Sequence, residues 1–367
     1  MNDRLKNIII TVCFLGTLYG IMLINIMKPD ALVSYSERRT LAKVPDYSGE
    51  KLLKGELFAD YEKYFLDQFV FRDGFRGLKA FTRFHIFRQK DNNGIYLLDG
   101  SIHKLEYPLN EKAILYAAEK FNEVYDKYLQ GMEVSYAIIP DKNYYTASEN
   151  GYPAMDYDRL LQLMEQNIRH MAYIDLFSAL EPEDYHRTDI HWRQDRIVDI
   201  AELLIREMGG DIPAPEAAYE EKSLYPFYGS YYGQAALKLK PDSLVYLSND
   251  ALDNAIVYDH IDKTYSKVYQ LNKFGSIDSY DVFLSGAKSI LTITNPGAAT
   301  DEELVIFRDS FGSSIAPLML KAYAKITLID LRYLKTDILG EYMEFTGNQQ
   351  VLFLYNTVIL NNSYMLK

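Results

Sequence analysis

An uncharged, apolar run from Asn7 to Met27 opens the chain. At about 1.5 Å per residue it is long enough to cross a ~30 Å hydrocarbon core. Lys28-Pro29-Asp30 ends the run, and the pattern then changes to a charged, aromatic stretch reaching Phe87. Phe58, Tyr61, Tyr64, Phe65 and Phe69 recur there at helical spacing, which predicts a helical lead-in over residues 29–105. Helical periodicity returns at Glu111–Tyr128, followed by a buried strand at Val134–Ile139 that Pro140 terminates. A helix over Tyr157–Met171 leads to a strand at Tyr173–Leu176. In Arg196–Met208, Ile197, Ile200, Leu203 and Leu204 share one stripe before Gly209-Gly210. Residues 211–300 lose this rhythm and show alternating, Tyr- and Val-rich runs such as Ser243–Leu247 and Ala287–Thr294, so they read as a strand-rich insertion. The rhythm resumes with a strand at 304–307, a turn at Ser310, a helix to about Tyr323, and strands at Ile326–Asp330 and Val351–Tyr355. Alternating strands and helices predict an α/β fold with a parallel sheet covered by helices. The expected division is 1–28 for a cytoplasmic tip and transmembrane anchor, 29–105 for the lead-in, and 106–367 for the main domain.

Charge assigns the sides of that anchor. Arg4 and Lys6 precede it, and the positive-inside rule places the amino end in the cytoplasm and the rest outside. No A-x-A-like pair follows the apolar run, and Thr11-Val12 precedes Cys13, which argues against cleavage as a signal or a lipoprotein. Cys13 is the only cysteine, so the exported part forms no disulfide, and a bacterial cell surface is expected. A net charge of −12 argues against nucleic acid or anionic lipid as the target of the soluble part. The 32 tyrosines suit sugar rings, although strand packing accounts for them equally.

Two short segments carry candidate chemistry. In Leu304–Ser314 an apolar strand runs into Ser310 and then a helix, a junction that projects a side chain beside unpaired helix N–H groups able to hold an oxyanion. Serine is also an ordinary helix N-cap. About 120 residues earlier, Arg187-Thr-Asp-Ile-His-Trp192 separates an acid from an imidazole by one residue. In an extended segment Asp189 and His191 share a face, so Asp189 can orient His191 and His191 can take a proton from Ser310. The plainer alternative is an Asx turn beside a surface histidine. Metal ligation by His186, Asp189 and His191 offers too few ligands, and no metal or cofactor is expected.

The motifs together resemble those of the DHHW proteins, which are related to periplasmic alginate O-acetyltransferases within the SGNH hydrolase-like group. The resemblance rests on Ser36-Glu-Arg-Arg39, Asp67-Gln68-Phe69 with Arg72-Asp73, Pro140-Asp-Lys142, Thr188-Asp-Ile-His-Trp192, Asp309-Ser310-Phe311 and Asp330-Leu-Arg332, in the family's order. It implies an SGNH hydrolase-like three-layer α/β/α fold with Ser310 as nucleophile and Asp189 and His191 completing a triad. It also implies O-acetylation of a secreted or cell-surface polysaccharide, with acetyl groups supplied by a multi-pass membrane acyltransferase. Arg332 is then a candidate oxyanion helper or simply a partner of Asp330. Lys142 and Asn143 would line the cleft or cap a turn. The chain departs at two positions: Arg308 stands where the SGNH signature has Gly, which bears on turn and oxyanion geometry, and Ile190 replaces the middle His of the name motif. A carbohydrate esterase using the same triad is one alternative. A non-catalytic polysaccharide-binding or scaffold protein is another.

Overall fold

The computed structural model describes residues 3–212 and 219–367; Met1 and Asn2 of the expected tip and residues 213–218 of the expected insertion lie outside the described residues. The chain forms two units. One runs to Asn92 and takes in Tyr232–Lys238, and the other holds Asn93–Tyr231 and Leu239–Lys367.

In the first unit, α1 (Asp3–Met27) buries no residue. Among the described residues it is the one helix long and apolar enough to cross a membrane. Helices α2 (Glu56–Asp67) and α3 (Arg72–Phe81) follow within the expected lead-in. The charged motifs of this region converge into one network. Arg39 Nη1 donates to Asp67 Oδ2 (2.8 Å), Arg72 pairs with Glu37, and Ser36 donates to Asp73 (3.0 Å). The Arg39 guanidinium holds the Asp67 carboxyl down to about 2. Gly233 permits the 232–238 segment to join them, because an added Cβ would lie 1.1 Å from the Ser36 carbonyl oxygen.

The second unit contains α4 (Glu111–Val124), β1 (Val134–Ile139), α5 (Tyr157–Asn167), β2 (Ala172–Ile174) and α6 (Val198–Glu207). It continues with β3 (Glu220–Phe227), β4 (Asp242–Ser248), β5 (Ile256–Asp259), β6 (Thr264–Ser266) and β7 (Ile290–Thr294). Next come β8 (Glu303–Arg308), α7 (Gly312–Met319), β9 (Lys325–Ile329) and β10 (Gln349–Asn356), before a short helical tail. One sheet runs β6-β5-β7-β9-β8-β10-β1-β2. The pairs from β9 to β2 are parallel, and those from β6 to β9 are antiparallel. The protein is therefore α/β with a large, mainly parallel sheet. The expected insertion is only partly separate. Its β3 and β4 pair with each other, whereas β5, β6 and β7 extend the main sheet.

Period-2 alternation explains the layers. Leu304 and Ile306 of β8 face a core that includes Leu204 of α6 and Ile315 of α7. Val305 and Phe307 face the opposite core, with Phe121 of α4 and Leu160 of α5. A strand covered on both sides has no solvent face, and this is why β8 and β1 read as continuous apolar runs. From β8 the chain passes to β9 on one side, while β1 is followed by β2 on the other, so the winding reverses about β10. In open α/β sheets such switch points hold the functional groups.

Candidate active site

Ser310 lies at the carboxyl end of β8, in the turn before α7. Every residue from Leu304 to Leu320 is buried except Ser310, which is half-buried. Asp309 fixes the turn: one carboxylate oxygen accepts from Phe311 N–H (2.9 Å) and the other from Asn356 N–H at the end of β10 (2.7 Å).

The acid–imidazole segment takes a different form from the extended one expected. A bridge between Tyr185 and Trp192 closes it into a loop, with His186 N–H donating to His191 O (3.0 Å). Within this loop Asp189 Oδ1 accepts both the His191 backbone N–H (3.0 Å) and, at 2.6 Å, Nδ1 of the same residue. Ser230 N–H donates to the other oxygen, Oδ2. The second ring nitrogen, Nε2, lies 2.7 Å from Ser310 Oγ. Ser310, His191 and Asp189 are thus brought into one hydrogen-bonded line. The Asx turn and the orienting acid, posed as alternatives, are the same carboxylate.

Further residues hold this line in place. Tyr280 stacks on the His191 ring (centroids 3.9 Å apart, 7° between planes) and donates from its hydroxyl to Ser314 Oγ (2.8 Å). Trp192 Nε1 donates to the same Ser314 Oγ (2.8 Å), one turn beyond Ser310. Burial pushes the Tyr280 phenol up, so it stays a neutral donor. Behind Asp189, Thr188 donates to Asp242 through both its N–H and its hydroxyl (2.7 Å each). Gly229 is obligatory, since an added Cβ would lie 2.1 Å from the Thr188 carbonyl oxygen. Thr188 and Trp192 belong to the quoted Thr-Asp-Ile-His-Trp motif and Ser314 to the Asp-Ser-Phe-Gly-Ser-Ser run, whereas Gly229, Asp242 and Tyr280 carried no motif. Tyr280 sits among many tyrosines in a segment of short 3-10 turns with no period to read.

The other candidates spend their polar groups on internal partners. Asn143 is 1 % exposed and spends its amide on Lys104 O (2.6 Å) and the Tyr96 hydroxyl (2.7 Å). Lys142 Nζ donates to the carbonyls of Ile102 (2.6 Å) and His186 (3.0 Å). Burial pushes its ammonium down to about 7 against the attraction of Asp189, Asp242 and Asp141. Neither side chain lines an open cleft. Arg332 makes a two-point bond to Asp330 (2.9 and 2.6 Å), the partner reading weighed for it. Burial opposes its charge, but that bond outweighs burial and holds the guanidinium above its ordinary value. Arg308 lies fully buried beneath the turn. Its side chain packs against Gly312 and donates to Asp309 O (3.2 Å), and burial pushes its guanidinium down. His186 packs edge-on against Phe227, and burial pushes its ring down to about 4.

The oxyanion expectation narrows as well. Phe311 and Gly312 N–H groups are taken by Asp309, and Ser313 N–H by Ser310 O (3.2 Å). The Ser310 N–H has no acceptor among the described residues.

Residues 147–329 match the DHHW protein family, a span that includes Asp189, His191 and Ser310 but not Lys142, Asn143 or Arg332. No curated protein matches the sequence. Among solved structures, the fold resembles a DHHW family protein from Eubacterium siraeum, with 19% identity and a TM-score of 0.60 over 75% of this chain and 94% of that chain. It also resembles Bacillus cereus PatB1, with 17% identity and a TM-score of 0.55 over 73% of this chain and 97% of that chain. The same protein with a sulfonyl adduct gives 16% and 0.56, over 72% and 95%.

Proposed function

We propose that this chain, which matches the DHHW proteins over residues 147–329, is a membrane-anchored serine acyltransferase of the extracytoplasmic side. It would transfer acetyl groups to hydroxyls of a secreted or cell-surface polysaccharide. The observation that carries this reading is the line from Asp189 through His191 to the half-buried Ser310, with 2.6 and 2.7 Å links. Such a line is the arrangement of an orienter, a base and a nucleophile.

In this mechanism Ser310 Oγ attacks the acetyl carbonyl carbon of the donor while its proton passes to His191 Nε2. The Ser310 N–H stabilises the tetrahedral oxyanion. The bond to the donor's leaving oxygen breaks, His191 returns the proton to that oxygen, and an acetyl-serine remains. An acceptor sugar hydroxyl then gives its proton to His191 and attacks the acetyl carbon. As the ester to Ser310 breaks, the proton returns to Oγ. Asp189 holds the ring in the required tautomer throughout and stabilises the imidazolium formed in each half-reaction. A multi-pass membrane acyltransferase would supply the acetyl donor.

The test is turnover of an activated acetyl ester by the full-length protein in detergent, with and without neutral and uronic acid oligosaccharides. Acetylated oligosaccharide, detected by mass and absent with Ser310→Ala, is the expected product. Acetate alone, at a rate no oligosaccharide alters, would assign hydrolysis instead. No turnover of any ester would favour the scaffold reading.

A further inference from the structure

We infer that the α2–α3 corner and the exposed stripe of α3 are seated in the headgroup layer of an anionic phospholipid surface, on the bilayer that α1 crosses. This inference rests on the membrane-anchor reading of α1. The corner is tied to the last turn of α1. Val70 N–H donates to Asn25 Oδ1 (2.7 Å), and Lys28 Nζ donates to Gln68 O (3.3 Å). If α1 spans the bilayer, Asn25 and Lys28 lie at its boundary, and the chain at 68–71 is held at that level.

The side chains there suit an interface. Phe71 is 73 % exposed, and Phe75, Leu78, Phe81, Ile86 and Phe87 are each at least half exposed. At 100° per residue, Phe71, Phe75 and Leu78 fall within about 60° of arc. They do not form the packed side of the helix: Ala80 is fully buried, and Gly77 lies against the Ala236 carbonyl. A contiguous exposed apolar stripe on a helix packed elsewhere marks an interaction surface.

Charge names the partner. Residues 72–90 carry Arg72, Arg76, Lys79, Arg83, Arg88 and Lys90 against Asp73, six positive to one negative, in a chain of net charge −12. Arg72 and Arg76 are engaged with Glu37 and Asp73. Basic residues flanking an apolar stripe fit anionic headgroups above acyl chains.

The test places a bimane label at single cysteines of the full-length protein in phosphatidylglycerol–phosphatidylethanolamine vesicles. Natural Cys13 reports on the anchor. Phe75→Cys and Leu78→Cys report on the stripe and Glu149→Cys serves as an aqueous control, each with Cys13→Ser. Quenchers are doxyl lipid and aqueous iodide. Doxyl lipid should quench Cys13 and both stripe positions several-fold more than position 149, and iodide should quench only position 149. Replacing phosphatidylglycerol with phosphatidylcholine should weaken quenching at 75 and 78 and leave Cys13 unchanged. Lipid quenching at Cys13 with iodide access at 75 and 78 would overturn the inference while leaving the anchor. Shielding of 75 and 78 from both quenchers would assign the stripe to a protein partner or a second copy and overturn it equally. Indifference to phosphatidylglycerol would remove the anionic surface. No lipid quenching at Cys13 would remove the anchor reading and the inference with it.

Discussion

Asp189 closes the loop around His191 and also bonds its ring, so one carboxylate sets both the backbone and the tautomer. Asp189→Asn should therefore lower ester turnover by ~10²- to 10⁴-fold, because an amide favours the wrong tautomer, with little change in thermal unfolding. Tyr280 acts on the reaction through His191. Tyr280→Phe keeps the stack and should stay within a few fold of wild type, whereas Tyr280→Ala should lower kcat ~10-fold or more with KM nearly unchanged. Equal losses in both variants would contradict a positioning role for the ring. Lys142 is legible through pH. Its folded value near 7 lies below the ordinary 10.5, so between these values the unfolded chain binds more protons and folding stability rises with pH. The burial penalty is full below about 7. In urea unfolding, wild type should gain on Lys142→Met from pH 7 to 9 by up to ~1.4 kcal/mol per pH unit, and a flat difference would refute this.

Elements with a period were readable, and those without one were not. The apolar run of β8 and the stripe of α6 follow from burial on two faces or on one, and the Gly209-Gly210 stop appears as carbonyl capping by Gly210 N–H on Ile205 O (2.8 Å). Serine at a strand-to-helix junction and an acid one residue from an imidazole were likewise visible as chemistry. Their meeting was not, because 119 residues separate Ser310 from His191 and tertiary packing alone joins them. The supports at Ser230, Asp242 and Tyr280 come from the starts of short elements and from a 3-10 turn, where no periodicity marks which residue faces the site. For Lys142 and Asn143 the sequence left two placements open, because a polar residue after a strand can face outward or turn inward, and both turn inward to carbonyls. Gly229 tests this layer. Gly229→Ala should push the Ser230 N–H from Asp189, costing ~1–3 kcal/mol of stability and much of the activity. An unchanged midpoint in denaturant would show that the approach to Thr188 is looser than described.

Across the whole molecule, an acidic chain without disulfides carries an apolar helix at its amino end and a buried, charge-rich site on an α/β sheet. The chain should fractionate with membranes and withstand alkaline carbonate, and detergent should release it. Extraction by carbonate or salt alone would contradict an anchor. The central claim is covalent: Ser310 accepts an acyl group with His191 as base. The most direct measurement is the intact mass of the full-length protein after an activated acetyl ester, for wild type, Ser310→Ala and His191→Ala. One acetyl adduct on wild type, mapped to the peptide holding Ser310 and missing from both variants, is the predicted result. Wild type acquiring no more acetyl than Ser310→Ala, or an adduct that persists in both variants, would contradict the account.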